Sequence, residues 1–284
     1  MQALKMRVDR ASLEKLYFAF VRPILEYADV VWDKPKEGDH LCDILESVNL
    51  RAARIISGAT ERCNGAKLYE ELSWQTLAER RKIHKLVLLY RIIHNLTPTY
   101  LSDILPPTVG EQSHYNLRTR ANIGLPFTRI DCYHYSFLPS TIRAWNLLPV
   151  DVRNILSNFK KHLQPIRPSN KLYYYQAYGR KPAVHHCRLR IGCSYLKSDL
   201  CFNLHVIEDA HCDCGIGIED AFHFFFVCPL FDRQRVELTN AIPPVVPLTV
   251  PSLLYGNSNF TEEINKSIFL AVQKYIIATQ RFQI

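Results

Sequence analysis

Three cysteines and one histidine within 17 residues place the strongest constraint on how this chain can fold. Gaps of one, eight and four residues separate them, and they are Cys212, Cys214, His223 and Cys228. Thiolate and imidazole groups in such a set suit tetrahedral zinc. Gly215 and Gly217 permit the tight turn that would bring the first two thiolates onto one ion. The spacing therefore predicts a zinc site.

A small apolar core is the alternative explanation of the same four residues. Free cysteine is often buried as a small hydrophobic side chain, and Phe222 and Phe224–Phe226 make the surroundings apolar. The Cys-x-Cys spacing is also tighter than the usual two-residue gap. His211 is a candidate substitute ligand, because it is adjacent to Cys212. Other residues of these types lack a comparable pattern and are interpreted as structural: His185, His186, Cys187, Cys193 and Cys201.

Positive charge is concentrated in one stretch of the chain. The formal net charge is +8, and residues 151–200 hold ten Lys and Arg against two Asp, which equals the whole excess. This concentration favours a polyanionic partner, RNA or DNA first; an ordinary basic protein without such a partner is the alternative. The aromatic residues of this stretch suit base stacking or the apolar side of a strand: Tyr173, Tyr174, Tyr175 and Tyr178.

Composition and apolar runs restrict the class of protein. With 48% hydrophobic and 22% charged residues among 284, we expect one large domain or two small ones. The longest apolar stretches, such as 86–90 and 224–228, are too short to span a bilayer, and no signal-peptide pattern is found. We expect a soluble intracellular protein, nuclear or cytoplasmic, without membrane or small-molecule partners. Its nine cysteines are expected to be thiols or metal ligands.

Hydrophobic periodicity predicts two helices within residues 12–57. Ser12 can cap the first, and Pro23 should kink or divide it. The second runs from about Leu41 to Ser57, with Gly58 as a C-terminal cap.

Two further helices open with capping boxes. Thr76 and Glu79 begin the clearest helix of the chain, and Asn259 and Glu262 begin the last one. Outside its apolar stripe the first of these helices carries basic residues, notably Arg80, Arg81 and Lys85. These three are either a solvated basic face on a packed helix or contacts to phosphate.

The middle of the chain is less regular. Residues 108–150 are expected to form loops and short turns, with apolar clusters at 137–140 and 145–149 as core anchors. Pro165, Pro168, Ser169 and the basic run mark the best candidate boundary, near 165–180. The expected fold is mainly α, with a helical first part and a small α+β zinc-binding part that ends in a helix.

No catalytic motif is recognisable in the sequence. A phosphate-binding glycine loop, a His-Glu-x-x-His pair and a nucleophile elbow are all missing. Polymerase palms carry an aromatic-x-Asp-Asp turn for two metal ions, but in the segment 27–30 Val30 stands at the second Asp position. We therefore interpret Asp29 as non-catalytic and expect no enzymatic activity.

Several motifs resemble, in the same order, the region after the palm in reverse transcriptases of non-long-terminal-repeat (LINE-type, jockey-like) retrotransposons. In the first part they are RPILEYADVVW at 22–32, LRAARIISG at 50–58, LYEELSWQTLAERRKIHKLVLLYRIIH at 68–94 and YHYSFLPSTIRAWNLLP at 133–149. The resemblance covers roughly residues 12–165 and implies that residues 1–165 form a helical thumb or connection region.

The second part is similar to the zinc-binding segment that closes many of these polymerases. The motifs are HCRLRIGCSYL at 186–196, CDCG at 212–215, IEDAFHFFFVCPLF at 218–231 and Arg235. By this resemblance residues 166–284 form a basic zinc-binding region, with Cys212, Cys214, His223 and Cys228 as the ligands. The basic segment that precedes the finger in the family would correspond to Arg180, Lys181, Arg188 and Arg190.

The resemblance implies a fragment without endonuclease and palm. A non-catalytic module that binds RNA or DNA is the leading hypothesis. In this hypothesis a zinc ion fixes the loop 212–228, so that the preceding basic residues are presented on a rigid base. The predicted contacts are Arg80, Arg81, Lys85, Arg180, Lys181, Arg188 and Arg190. The alternative is a structural relic of a transposable element with no selected activity.

Overall fold

The fold is mainly α-helical, as the sequence predicts. The computed structural model describes residues 5, 7–34, 36, 40–112, 119–155, 158–164 and 174–282. It contains 62% helix and 2% strand. Pairing of extended chain within the described residues is limited to two isolated antiparallel bridges, Thr108 with Ile123 and His211 with Ile218. The strand component expected in the second part is thus reduced to one bridge.

Sixteen α-helices are found in the described residues. In chain order, α1 to α16 are Arg10–Leu16, Arg22–Leu25, Asp29–Trp32, His40–Ser57, Gly65–Leu72, Leu77–Ile93, Thr99–Ser102, Val109–Gln112, Asp131–His134, Phe137–Asn146, Val150–Arg153, Phe159–Leu163, Arg180–Ile191, Asp232–Ala241, Val250–Tyr255 and Glu262–Ala278. Three π-helical turns are Tyr17–Val21, Asp199–Asn203 and His223–Val227, and two 3₁₀ turns are Tyr174–Gln176 and Pro229–Phe231.

The chain packs as two compact units, and neither is continuous in sequence. Unit 1 comprises 1–20, 50–74 and 168–284, and unit 2 comprises 21–49 and 75–167. The division falls inside α4. The predicted boundary residues Pro165, Pro168 and Ser169 lie outside the described part, as do Arg167, Lys171 and Tyr173. The domain ranges 1–165 and 166–284 therefore remain a prediction.

Unit 1 is built around α16, which packs against α13, α14 and α15. Its apolar core is aromatic: the ring centroid of Phe224 lies 5.1 Å from that of Phe225 and 5.1 Å from that of Tyr275. The Tyr275 hydroxyl donates a hydrogen bond to the Phe224 carbonyl at 2.5 Å, so this buried tyrosine is satisfied. Near the start of the unit, Tyr17 stacks on Trp74 at 4.7 Å.

Unit 2 packs α10 and α12 against α6. Phe159 is stacked on Tyr90 with ring centroids 4.4 Å apart, and Trp145 lies 5.5 Å from Phe159. Leu89 and Ile142 are completely buried beside them. The segment 137–149, expected to be loops and turns, is largely the amphipathic helix α10. Its predicted role as a core anchor is consistent with the burial of Trp145.

Local signals located several helix ends correctly. The capping box at Thr76 and Glu79 is present in both directions, and α4 ends before Gly58, whose φ is +77°. Pro23 lies in the first turn of α2, after the π-helical turn 17–21 that separates α2 from α1. The predicted division of the first helix is thus confirmed.

Two predicted caps were wrong. The cap of α1 is Asp9, whose carboxylate accepts from the Ser12 backbone N–H at 2.9 Å. The cap of α16 is Thr261, whose hydroxyl accepts from the Ile264 N–H at 3.3 Å, and not Asn259. In both cases another residue of a capping type, two or three positions away, begins the helix. Helices long and apolar enough to traverse a bilayer are not found among the described residues.

The Thr76 cap gives a test of the local fold. We expect Thr76→Ala to lower the free energy of unfolding by about 1 kcal/mol, because the Glu79 backbone N–H loses its acceptor, the Thr76 hydroxyl. Urea denaturation measures the change. The control is Lys82→Ala on the exposed side of the same helix, with an expected change within about 0.5 kcal/mol. Equal effects of both substitutions would contradict the capping role.

Candidate metal centre and basic side chains

A short hairpin positions the first two cysteines. The bridge between His211 and Ile218 closes it, and the Cys212 N–H donates to the Gly217 carbonyl at 2.9 Å. Gly215 and Gly217 have φ of +78° and +79°, and an L side chain would be strained there. The two glycines therefore make the tight turn that the sequence predicted.

Backbone N–H groups also donate the hydrogen bonds that fix Cys214, His223 and Cys228. The Cys214 sulfur accepts from the Ile216 N–H at 3.4 Å. His223 begins a π-helical turn, and its N–H donates to the Asp220 carboxylate at 2.7 Å. Cys228 ends the same turn, because its N–H donates to the His223 carbonyl at 2.8 Å. One turn of helix thus presents an imidazole and a thiol on the same side.

These elements bring all four predicted ligands together. The donor atoms of Cys212, Cys214, His223 and Cys228 all lie within 4.8 Å of one another. The Cys212 and Cys228 sulfurs are 3.7 Å apart, and the Cys214 sulfur lies 3.3 Å from His223 Nε2. The cluster can hold a metal ion. Scattered core residues would not be expected to point four donor atoms at one position.

The substitute ligand His211 and the residues interpreted as structural lie outside the cluster. His211 turns to Asp209, with its Nδ1 2.7 Å from the carboxylate, and does not join the cluster. His186 is completely buried, and its Nε2 lies 2.9 Å from the Leu254 carbonyl oxygen. Among the described residues, Cys187 and Cys193 are buried free thiols outside the group.

The thiols of the cluster differ in acidity. Burial raises the pKa of Cys212 to about 12 and also raises that of Cys228. Desolvation acts in the same direction on Cys214, but hydrogen bonds from the Ile216 N–H and from the neighbouring thiols lower its pKa. Binding of a metal dication would displace these protons, so occupancy is expected to increase with pH.

A buried ion pair holds the hairpin to the end of the chain. Glu219 is 2% exposed, and its carboxylate accepts from Arg281 at 2.5 and 2.7 Å and from the Lys197 N–H at 3.0 Å. Sequence reasoning missed both Glu219 and Arg281. They are 62 positions apart, and no local pattern connects them.

The basic residues predicted on α6 are engaged inside unit 2. Arg81 Nε and Lys85 Nζ each lie 2.7 Å from the Asp33 carboxylate, and all three side chains are at most 6% exposed. Lys85 also donates to the Asp33 carbonyl. A solvated basic face was one expectation for these residues, but the structure instead has a buried charge cluster. A phosphate could contact Arg81 or Lys85 only beside Asp33.

Arg80 is also paired. Its guanidinium makes two hydrogen bonds to the carboxylate of Glu26. Burial alone would raise the pKa of Glu26, but the hydrogen bonds and charge of Arg80 lower it below its usual value. Asp29 is buried as well, 2.6 Å from His84 Nδ1.

Three of the four predicted basic residues on α13 also have internal partners, and the fourth is exposed. Arg180 donates to the Lys5 and Ile55 carbonyls, and Arg188 donates to the Gly58 carbonyl. Arg190 pairs with Glu71 at 3.0 Å and donates to the Leu254 carbonyl. Lys181 alone of the seven predicted contacts is an exposed side chain, so it is the one with an unobstructed position for phosphate.

Comparison with protein-family models, with curated protein sequences and with solved structures gives no match.

Loss of one ligand should remove the metal ion. We expect Cys228→Ser to abolish stoichiometric metal binding and to lower the free energy of unfolding by about 4 kcal/mol, the stabilisation given by free ion at a thousand times its Kd. Metal analysis and thermal unfolding, with and without a chelator, measure both effects. Cys132→Ser, at an exposed thiol of unit 2, is the control. A chelator with no effect on the wild type would contradict the site.

The buried cluster of unit 2 gives a second prediction. Asp33→Asn leaves two buried cations without their anion, and we expect a loss of about 3 kcal/mol or more. Chemical denaturation measures it, with the exposed Asp103→Asn as the control. A change below about 0.5 kcal/mol would show that Arg81 and Lys85 are solvated.

Proposed function

We propose that the chain is a non-catalytic, zinc-containing part of a retrotransposon-type reverse transcriptase that binds RNA or DNA. The observation that carries the proposal is the convergence of four donor atoms within 4.8 Å. The ordered motifs that resemble the post-palm region of these polymerases support it. No catalytic carboxylate pair enters the proposal, because Asp29 is buried against His84.

Zinc fits the donor set better than other biological metals. Three thiolates and one imidazole are soft or borderline ligands, which disfavour magnesium and calcium and suit tetrahedral zinc. With four protein ligands the coordination is closed, so the ion would have a structural role. It would fix the hairpin 211–218 to the π-helical turn 223–227 and so stabilise the surrounding part of unit 1.

The surroundings of the metal cluster are unsuited to phosphate. Asp209, Asp213 and Asp220 are exposed around the hairpin, and Lys197 is paired with Asp213 at 2.6 Å. Exposed carboxylates repel a nucleic-acid backbone. The proposed role of the zinc is therefore to support the fold, while other residues contact the nucleic acid.

Exposed lysines of the basic stretch are the best candidates for that contact. Lys160, Lys161 and Lys181 are exposed, and their ammonium groups have no hydrogen-bonded or ionic partner within the described ranges. Such side chains can meet phosphates without breaking an internal interaction. We propose each of them as a contact from its own unit: Lys181 is also predicted from the sequence, whereas Lys160 and Lys161 follow from their exposure on α12.

The identity of the metal can be tested first. We expect about one zinc per chain in protein purified without added metal. Replacement by Co²⁺ should give the absorption bands of a tetrahedral thiolate site, and Cys214→Ser should weaken them. An octahedral spectrum, or metal content unchanged in Cys214→Ser, would contradict the zinc assignment.

Nucleic-acid binding is tested by fluorescence anisotropy with a structured RNA and a DNA duplex over a salt series. We expect steeply salt-dependent binding. Replacement of Lys160, Lys161 and Lys181 by Gln should lower the affinity about tenfold or more. For DNA it should reduce the log–log salt slope by about 0.9 per lost phosphate contact.

The matched control replaces three exposed lysines outside the basic stretch, Lys15, Lys67 and Lys274, by Gln. Equal losses in both triple variants would mean that net charge and not location determines binding. A folded, zinc-loaded protein that binds neither RNA nor DNA at low salt would instead favour the structural relic.

A further inference from the structure

Unit 2 contains a cavity of about 480 Å³ beside the buried charge cluster of Asp33. It is lined by residues of α6 and α10, by Cys42 of α4, and by Asp33 and Lys36. Its volume falls in the range of roughly 300–1,000 Å³ that is usual for small-molecule sites. Neither the metal cluster nor the exposed lysines of the proposed nucleic-acid contact belong to it.

The lining has an excess of positive charge. Four cationic side chains line the cavity against two carboxylates, and the cations are Lys36, Arg81, Lys82 and Lys85. Asp33 accepts from two of these cations, and Lys36 is paired with Asp131 at 3.3 Å. Four cations against Asp33, Glu79 and Asp131 still leave one positive charge in excess, which favours an anionic ligand.

One donor in this wall has no partner. Arg81 is 2% exposed, and its Nη1 makes no hydrogen bond among the described residues, although its Nε is paired with Asp33. A buried guanidinium nitrogen without an acceptor is costly. Because Nη1 has less than 1 Å² of accessible surface, a bound anion would satisfy it after a small shift of the Arg81 side chain toward the cavity. Lys82 is exposed and has no partner in the described ranges, so its ammonium group is free to contact the same anion.

The rest of the lining is apolar or already satisfied. Ala78, Leu86 and Ala144 contribute carbon surface. The hydroxyls of Ser140 and Thr141 donate to carbonyls of their own helix, at 2.6 and 2.5 Å respectively. A ligand that fills the cavity should thus combine one anionic group with an apolar body.

We propose that this cavity binds a phosphate monoester attached to a flat apolar group. A phosphate dianion can accept from Arg81 and from Lys82 together, and guanidinium groups suit its geometry. The apolar body would lie against Ala78 and Ala144. A free nucleoside monophosphate and the phosphorylated end of a nucleic-acid strand both supply this chemistry.

Calorimetric titration with adenosine 5′-monophosphate tests the site. We expect saturable binding, with adenosine and inorganic phosphate each at least tenfold weaker. A short oligonucleotide with and without a 5′-phosphate distinguishes the two sources. Preference for the phosphorylated strand over the free nucleotide would assign the strand end, and the reverse would assign the small molecule.

Variants separate the cavity from general surface charge. Lys82→Gln and Arg81→Lys should each weaken nucleotide binding about tenfold. Ala78→Phe should abolish it by filling the cavity, with every charge retained. Arg129→Gln, an exposed site outside the cavity, is the control and should change nothing.

The lysine and alanine positions are exposed, so their variants are expected to fold even if Arg81→Lys disturbs the pair with Asp33. Wild-type protein that does not bind the nucleotide at millimolar concentration would overturn the proposal. Binding that survives Ala78→Phe would overturn it too. Loss of nucleotide binding in Arg129→Gln would assign the effect to net charge and count against the cavity.

Discussion

The carboxylate of Glu71 is the interaction on which unit 1 depends most. It accepts from the Tyr174 hydroxyl at 2.7 Å and from Arg190 at 3.0 Å, and it lies 3.4 Å from Arg10. Its partners come from the two other chain segments of the unit, so this one anion of α5 joins α1 and α13. Removing Glu71 would take away the anion that the largely buried Arg10 and Arg190 share, which is far costlier than losing a surface pair. Packing of α16 against α13 then completes the aromatic core.

Unit 2 also holds buried basic side chains with a buried carboxylate, and this alters how the positive charge in the sequence is interpreted. Arg81 and Lys85 are held by Asp33, as Arg190 is held by Glu71. Most of the basic residues that the sequence predicts as nucleic-acid contacts thus form internal hydrogen bonds and ion pairs. Exposed lysines such as Lys181 are what remains for an external polyanion. An arginine can bury its planar, multiply donating group in such pairs more readily than a lysine.

Features of the fold and of the metal cluster that depend on residues close in sequence could be predicted, whereas pairs of residues far apart in sequence could not. The capping box at Thr76 and the cysteine–histidine cluster depend on residues close in sequence, so spacing alone predicted them. The caps Asp9 and Thr261 were missed because several nearby side chains are of types that can cap a helix. The pairing of Glu219 with Arg281 joins positions 62 apart, and that of Arg81 with Asp33 joins positions 48 apart. No periodicity encodes which acid and which base will meet.

The discontinuity of the units has a consequence for the order of folding during synthesis. Domains generally fold as units while the chain is being made, beginning at the N-terminus. All of unit 2 is synthesised before α13, whereas unit 1 is complete only after α16 has been made. Before α13 is made, Glu71 of α5 has only Arg10 of α1 as a cationic partner, because Arg190 has not yet been synthesised. A nascent chain paused between the two stages would display an unfinished interface, which chaperones recognise.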